Sequence, residues 1–71
     1  MTYEQIIKLK VGDLIRWENE YSWTLDLVIE VNPNEATTKI INKENFKHDF
    51  GFEESYPLQE LESDSWTLIA N

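Results

Sequence analysis

Apolar and polar residues alternate without a break from Trp23 to Val31. Trp23, Leu25, Leu27, Ile29 and Val31 form one row, and Thr24, Asp26, Val28 and Glu30 form the other. A period of two sends successive side chains to opposite faces of a strand, so this stretch predicts a β-strand in a sheet covered on one side, the side of the apolar row. Upstream, Leu14-Ile15-Arg16-Trp17 is β-branched and aromatic and predicts a first strand, followed by a polar loop from Glu18 to Tyr21. Downstream, Asn32-Pro33-Asn34-Glu35 has turn chemistry, with proline setting φ at the second position and asparagine tolerating left-handed backbone. Ala36 to Ile41 then runs back as the hairpin partner. Phe46, His48, Phe50 and Phe52 fall two apart and predict a fourth strand, in which Gly51 marks a bend or bulge. Pro57-Leu58-Gln59-Glu60-Leu61 fits one helical turn with proline near its start, and Ser65 to Ile69 predicts a last strand. Near the beginning, Thr2 and Gln5 have the spacing of a capping box. They predict a helix of a turn or two that Val11-Gly12-Asp13 interrupts; an extended arm is the alternative.

Short antiparallel strands joined by tight loops predict an all-β fold, a small five-stranded barrel that removes its sheet edges by closing on itself. The chain is then a single domain over residues 1–71, with 1–10 as a helix or arm and 11–69 as the barrel.

Composition limits what such a domain can do. With 71 residues and no cysteine, neither a disulfide nor a thiolate metal site braces the core, and side-chain packing must supply the stability. Three Trp, three Tyr and three Phe are too many rings for a disordered acidic chain. The formal net charge is -8. A field of that sign opposes direct contact with nucleic acid or anionic lipid and favours partners with basic surfaces. The opening MTYEQIIKLK lacks the apolar run of a signal peptide, and no stretch approaches the roughly 20 apolar residues of a membrane span. A cytoplasmic protein without membrane contact is expected.

The strands resemble a known group. Val11-Gly-Asp-Leu-Ile-Arg-Trp17, Leu27-Val-Ile-Glu-Val31, Lys39-Ile-Ile41 and Glu62-Ser-Asp-Ser-Trp-Thr-Leu-Ile69 look like the successive strands of small SH3-like barrels. The nearest likeness is to the short, mostly uncharacterised SH3-like proteins of tailed phages and some bacteria. The second strand departs from that pattern in carrying Leu25-Asp26-Leu27 where such barrels commonly have a glycine, and Asn42 to Gln59 has no counterpart. The resemblance implies a fold and a phage origin, and no activity, because such barrels host many roles.

Candidate chemistry is sparse. His48, between Lys47 and Asp49, is the single histidine and has no second histidine or cysteine to complete a metal or catalytic site. Glu44, Asp49, Glu53 and Glu54 do not have the spacing of a calcium loop. The serines lack an accompanying base, and two glycines are too few for a phosphate-binding loop. No enzyme, cofactor or metal is expected. The rings are more informative, since a core this small cannot enclose all nine. Tyr21, Trp23, Phe46, Phe50, Phe52 and Tyr56 come from loops and strand ends predicted to gather on one side, where they either cap the barrel or form an exposed patch. From Glu53 to Asp64 the chain holds five acidic residues and no basic one, which predicts an ordered acidic connection into the last strand. The expected function is a non-enzymatic protein-interaction module. Tyr21, Trp23, Phe50, Phe52 and Tyr56 would anchor a basic or extended segment, and Glu53, Glu54, Glu60 and Glu62 would steer it. The alternatives are an acidic inhibitor that imitates nucleic acid towards a host protein, and a structural component that self-associates through its rings.

Overall fold

The computed structural model describes residues 1–44 and 51–70. Five antiparallel strands form one sheet: β1 (Leu14–Glu18), β2 (Trp23–Val31), β3 (Glu35–Lys43), β4 (Glu53–Pro57) and β5 (Trp66–Ala70). Helix α1 (Tyr3–Ile7) precedes them, and a 3-10 turn (Leu58–Glu62) joins β4 to β5. The strand order is β4-β3-β2-β1-β5, which leaves β4 and β5 as the two edges. The all-β class is as expected, but among the described residues no ladder joins these edges, so the sheet is not closed as the predicted barrel would be. The edge strands meet through side chains instead. The rings of Tyr56 on β4 and Trp66 on β5 lie edge to face, 5.0 Å between centroids.

Register shows which row of β2 turns inward. Trp17 lies opposite Thr24, Asp26 opposite Ile40, and Val28 opposite Thr38. Asp26, Val28 and Thr38 are buried, with Ile15, Ala36 and Trp66 beside them in the core. Leu25, Leu27 and Ile29 are half-exposed on the other face, the reverse of the predicted arrangement. The Asp26 carboxylate can sit inside because it accepts hydrogen bonds from the Thr24 hydroxyl at 2.7 Å and the Thr38 hydroxyl at 2.6 Å. A register shift between Val28 and Glu30 then returns Val31 to the core side.

The helix closes one side of that core. Thr2 Oγ1 accepts the Gln5 N–H at 3.1 Å and Gln5 Oε1 accepts the Thr2 N–H at 3.0 Å, completing the predicted capping box. Five residues do not hold a helix in water; Ile6 and Leu9 are buried and α1 packs on the 3-10 turn, whose Leu61 is fully enclosed. The Met1 amine donates to the carbonyls of Leu61 at 2.9 Å and Trp66 at 2.8 Å, tying the first residue to both elements that follow β4.

The fourth strand is displaced from its predicted place. It occupies Glu53–Pro57, inside the acidic stretch read as a connection. Ala36 pairs with Tyr56 and Thr37 with Ser55, whose hydroxyls share a hydrogen bond of 2.7 Å. Cross-strand pairs of this kind hold a strand that its own alternation does not announce. Gly51, at φ 83, makes the bend into β4, and its N–H donates to the Ile40 carbonyl at 2.7 Å. Phe46, His48 and Phe50 lie outside the described residues.

Candidate functional site

A pocket of about 310 Å³ opens on the inward side of the sheet, lined by Trp17, Thr24, Ile40, Tyr56, Glu60 and Trp66. The ladder assembles it. Trp17 on β1 and Trp66 on β5 are cross-strand partners, Thr24 on β2 lies opposite Trp17, and Ile40 on β3 lies opposite Asp26. Tyr56 reaches in from β4, and Glu60 comes from the 3-10 turn that β4 runs into. Trp66 is buried, and its edge-to-face contact with Tyr56, at an interplanar angle of 65°, sets the tyrosine ring. Trp17 and Tyr56 keep part of their surface in solvent. A volume near the lower end of known ligand sites suits one side chain better than a cofactor.

The electrostatics of the pocket are one-sided. The Tyr56 hydroxyl donates to Glu54 Oε2 at 2.8 Å. Burial, then that hydrogen bond, then the negative charges of Glu54, Asp26 and Glu60 raise the Tyr56 pKa well above the ordinary tyrosine value. Three carboxylates therefore act on one hydroxyl. Among the described residues the lining contains no lysine or arginine. A second hollow of about 300 Å³, between α1 and Leu68, is lined by Thr2, Glu4, Gln5, Lys8, Asp13 and Leu68; it mixes charges and has no ring.

The residues predicted as a site do not all converge. Tyr56 and Glu60 line the pocket, and Glu54 touches it through the Tyr56 hydroxyl. Trp23 belongs to the opposite face, where the Arg16 guanidinium lies 4.8 Å from its ring centroid. Glu53 pairs across the sheet with Lys39, and Glu62 is exposed beside Met1 and Thr2 at another hollow. Tyr21 is 80% exposed in the β1–β2 loop, and Phe52, just ahead of β4, is 52% exposed. Phe50 falls outside the described residues. The rings that Tyr56 joins are Trp17 and Trp66, which the sequence pattern places only within strands. The parity of β1 carries the missing signal, because Trp17 shares the face of the fully buried Ile15.

The described residues contain no helix long and apolar enough to cross a membrane. Comparison with models of protein families, with curated proteins and with solved structures finds no match for this chain.

Proposed function

We propose that the chain is a non-enzymatic protein-interaction module, a small SH3-like barrel whose aromatic pocket and acidic rim take a basic, extended segment of a partner protein. The observation that carries this reading is the pocket itself. Trp17, Tyr56 and Trp66 wall it, Glu60 lines it, and its lining has no basic side chain among the described residues. Rings beside unpaired negative charge attract a cation presented on an apolar stem. The order β4-β3-β2-β1-β5 with a 3-10 turn before the last strand supports the barrel part of the reading. The likeness of the opening strand to phage barrels extends it to a phage-encoded protein acting in the host cytoplasm.

The test is a titration of the protein with an array of extended peptides, basic, proline-rich and acidic, followed by backbone and indole N–H resonances. Basic peptides are expected to shift Trp17 and Trp66, and Tyr56→Ala to abolish the shifts. Peptides that bind irrespective of charge, or none that binds, would overturn the reading.

A second reading has its own support: Glu53, Glu54, Glu60, Glu62 and Asp64 are all exposed, along β4, the 3-10 turn and the approach to β5. Such a row suits an inhibitor that presents carboxylates to the nucleic-acid site of another protein. In that case substitution of the pocket rings would leave binding to the target intact, while charge reversal along the row would remove it.

A further inference from the structure

The two edges of the sheet are not alike. β4 carries Glu53, Glu54 and Pro57, charges and a proline that discourage a further strand. β5 carries neither, and its one irregularity, at Ile69, falls past Leu68. We propose that the free edge of β5 takes an extended, basic segment of a partner protein as a sixth strand, in the groove between that edge and α1. This surface is separate from the aromatic pocket and shares only Trp66 with it.

The backbone determines where a strand would pair. Glu18 donates its N–H to the Ser65 carbonyl at 2.9 Å, Trp17 lies opposite Trp66, and Ile15 lies opposite Leu68. Bonded and non-bonded pairs alternate along an antiparallel ladder, so the N–H and C=O of Trp66 and Leu68 point away from β1. Those of Trp66 are engaged. Its N–H donates to the Ser63 carbonyl at 3.1 Å, and its carbonyl accepts from the Met1 amine at 2.8 Å. Those of Leu68 make no bond to a described residue outside the ladder. An outward donor and an outward acceptor on one residue are the pair that an added strand meets.

Charge names the occupant. Two hollows of about 300 and 280 Å³ lie along this edge and share Thr2, Gln5 and Leu68. Their lining holds the carboxylates of Glu4, Asp13, Glu62 and Asp64 against a single lysine, Lys8. That balance favours a basic segment and opposes a second copy of this chain, whose formal net charge is -8. Asp13 adds a specific acceptor. It is 2% exposed; its Oδ2 accepts the Lys10 N–H at 3.0 Å, and its Oδ1 has no hydrogen-bond partner among the described residues. A buried acceptor left unmet is costly. Side chains alternate between the faces of a strand, so the residue paired with Leu68 would send its own to the face of Leu68, towards the hollow that Asp13 lines. A lysine there would bring an ammonium to the carboxylate.

The experiment titrates the full chain with a seven-residue peptide of alternating lysine and valine, and with its twin that has glutamate for lysine. The Leu68 amide and the Trp17 indole are followed by resonance shift, and Leu68 also by hydrogen exchange. The lysine peptide is expected to shift Leu68 and slow its exchange, and the glutamate twin to do neither. N-methylation of every lysine amide should weaken this binding by roughly three- to tenfold, because it removes the N–H that faces Leu68, whereas methylation of the valine amides should leave it unchanged. Glu62 and Asp64 are both exposed, so Glu62→Lys with Asp64→Lys should keep the fold and weaken the lysine peptide by roughly three- to tenfold. Losses from the valine amides, or equally from both sets, would overturn the proposal, as would a glutamate twin that binds as well. A peptide that moves the Trp17 indole and leaves Leu68 unaltered would overturn it while supporting the aromatic pocket. Protection of Leu68 that grows with protein concentration, without peptide, would overturn it in favour of a second copy.

Discussion

Tyr56 joins the packing of the domain to the chemistry of its pocket. Its ring meets Trp66, and its hydroxyl meets Glu54 in a field set by Asp26 and Glu60. Because the folded state raises the Tyr56 pKa, the folded protein holds this proton more tightly than the unfolded chain does. The unfolded phenol ionises near pH 10. Stability from this residue is therefore intact below about pH 10 and is lost as the pH climbs from there towards the raised folded value. Urea unfolding followed from neutral to strongly alkaline pH is expected to show this decline, and Tyr56→Phe to remove its Tyr56 component. An unchanged alkaline profile in the variant would show that the hydroxyl is not held as described. Asp26 makes a related demand on its neighbours. Thr38→Val keeps the shape but deprives a buried carboxylate of its 2.6 Å donor, and is expected to cost about 1.5–3 kcal/mol. Thr38→Ser, which keeps the hydroxyl, should recover most of it in the same denaturant titration.

The elements were legible in the sequence to different degrees, for reasons visible in particular residues. The capping box of α1, the full span of β2 and the 3-10 turn after Pro57 are local matters of spacing and turn chemistry, and local sequence states them. Which face of β2 is covered is not local. The Thr24-Asp26-Val28 row looks polar until Thr38, twelve positions along the chain, is placed across from Val28 and supplies a donor to Asp26. β4 is harder still, since EESYP has no alternation and owes its pairing to Ala36 and Thr37 on the neighbouring strand. The pocket inherits both difficulties. Tyr56 and Glu60 stand within the acidic stretch from Glu53 to Asp64, whereas Trp17 and Trp66 belong to strands whose inward parity only the assembled sheet reveals. The assignment of faces has a direct test at this scale. Ile15→Ala removes a fully buried side chain and is expected to cost about 2–5 kcal/mol. Leu27→Thr on the opposite face keeps a good strand former and should cost less than about 1 kcal/mol. Equal losses in thermal or urea unfolding would mean that the apolar row is covered after all.

For the whole molecule the governing quantity is charge. A formal net charge of -8 is carried on a body with a Cα radius of gyration of 11.3 Å and a longest extent of 32 Å. At about 10 mM salt the screening length is roughly 30 Å and nearly every pair of charges in the molecule interacts; at about 150 mM it is roughly 8 Å and only neighbours do. Raising salt between these limits should therefore relieve self-repulsion and increase the unfolding temperature. The same step acts on binding through a different quantity. On the proposed function, distant carboxylates such as Glu53 and Glu62 would draw a basic segment in from solution, and screening would remove that pull. In the proposed module, contacts inside the pocket would be short and shielded by Trp17 and Trp66. Salt is thus expected to slow association of a basic peptide while leaving its dissociation nearly unchanged, and stopped-flow tryptophan fluorescence separates the two rates. An inhibitor working through its row of carboxylates would behave otherwise. Its complex would dissociate faster as salt rose, and Trp17→Leu would leave that response as it was, because the rings would have no part in holding the partner.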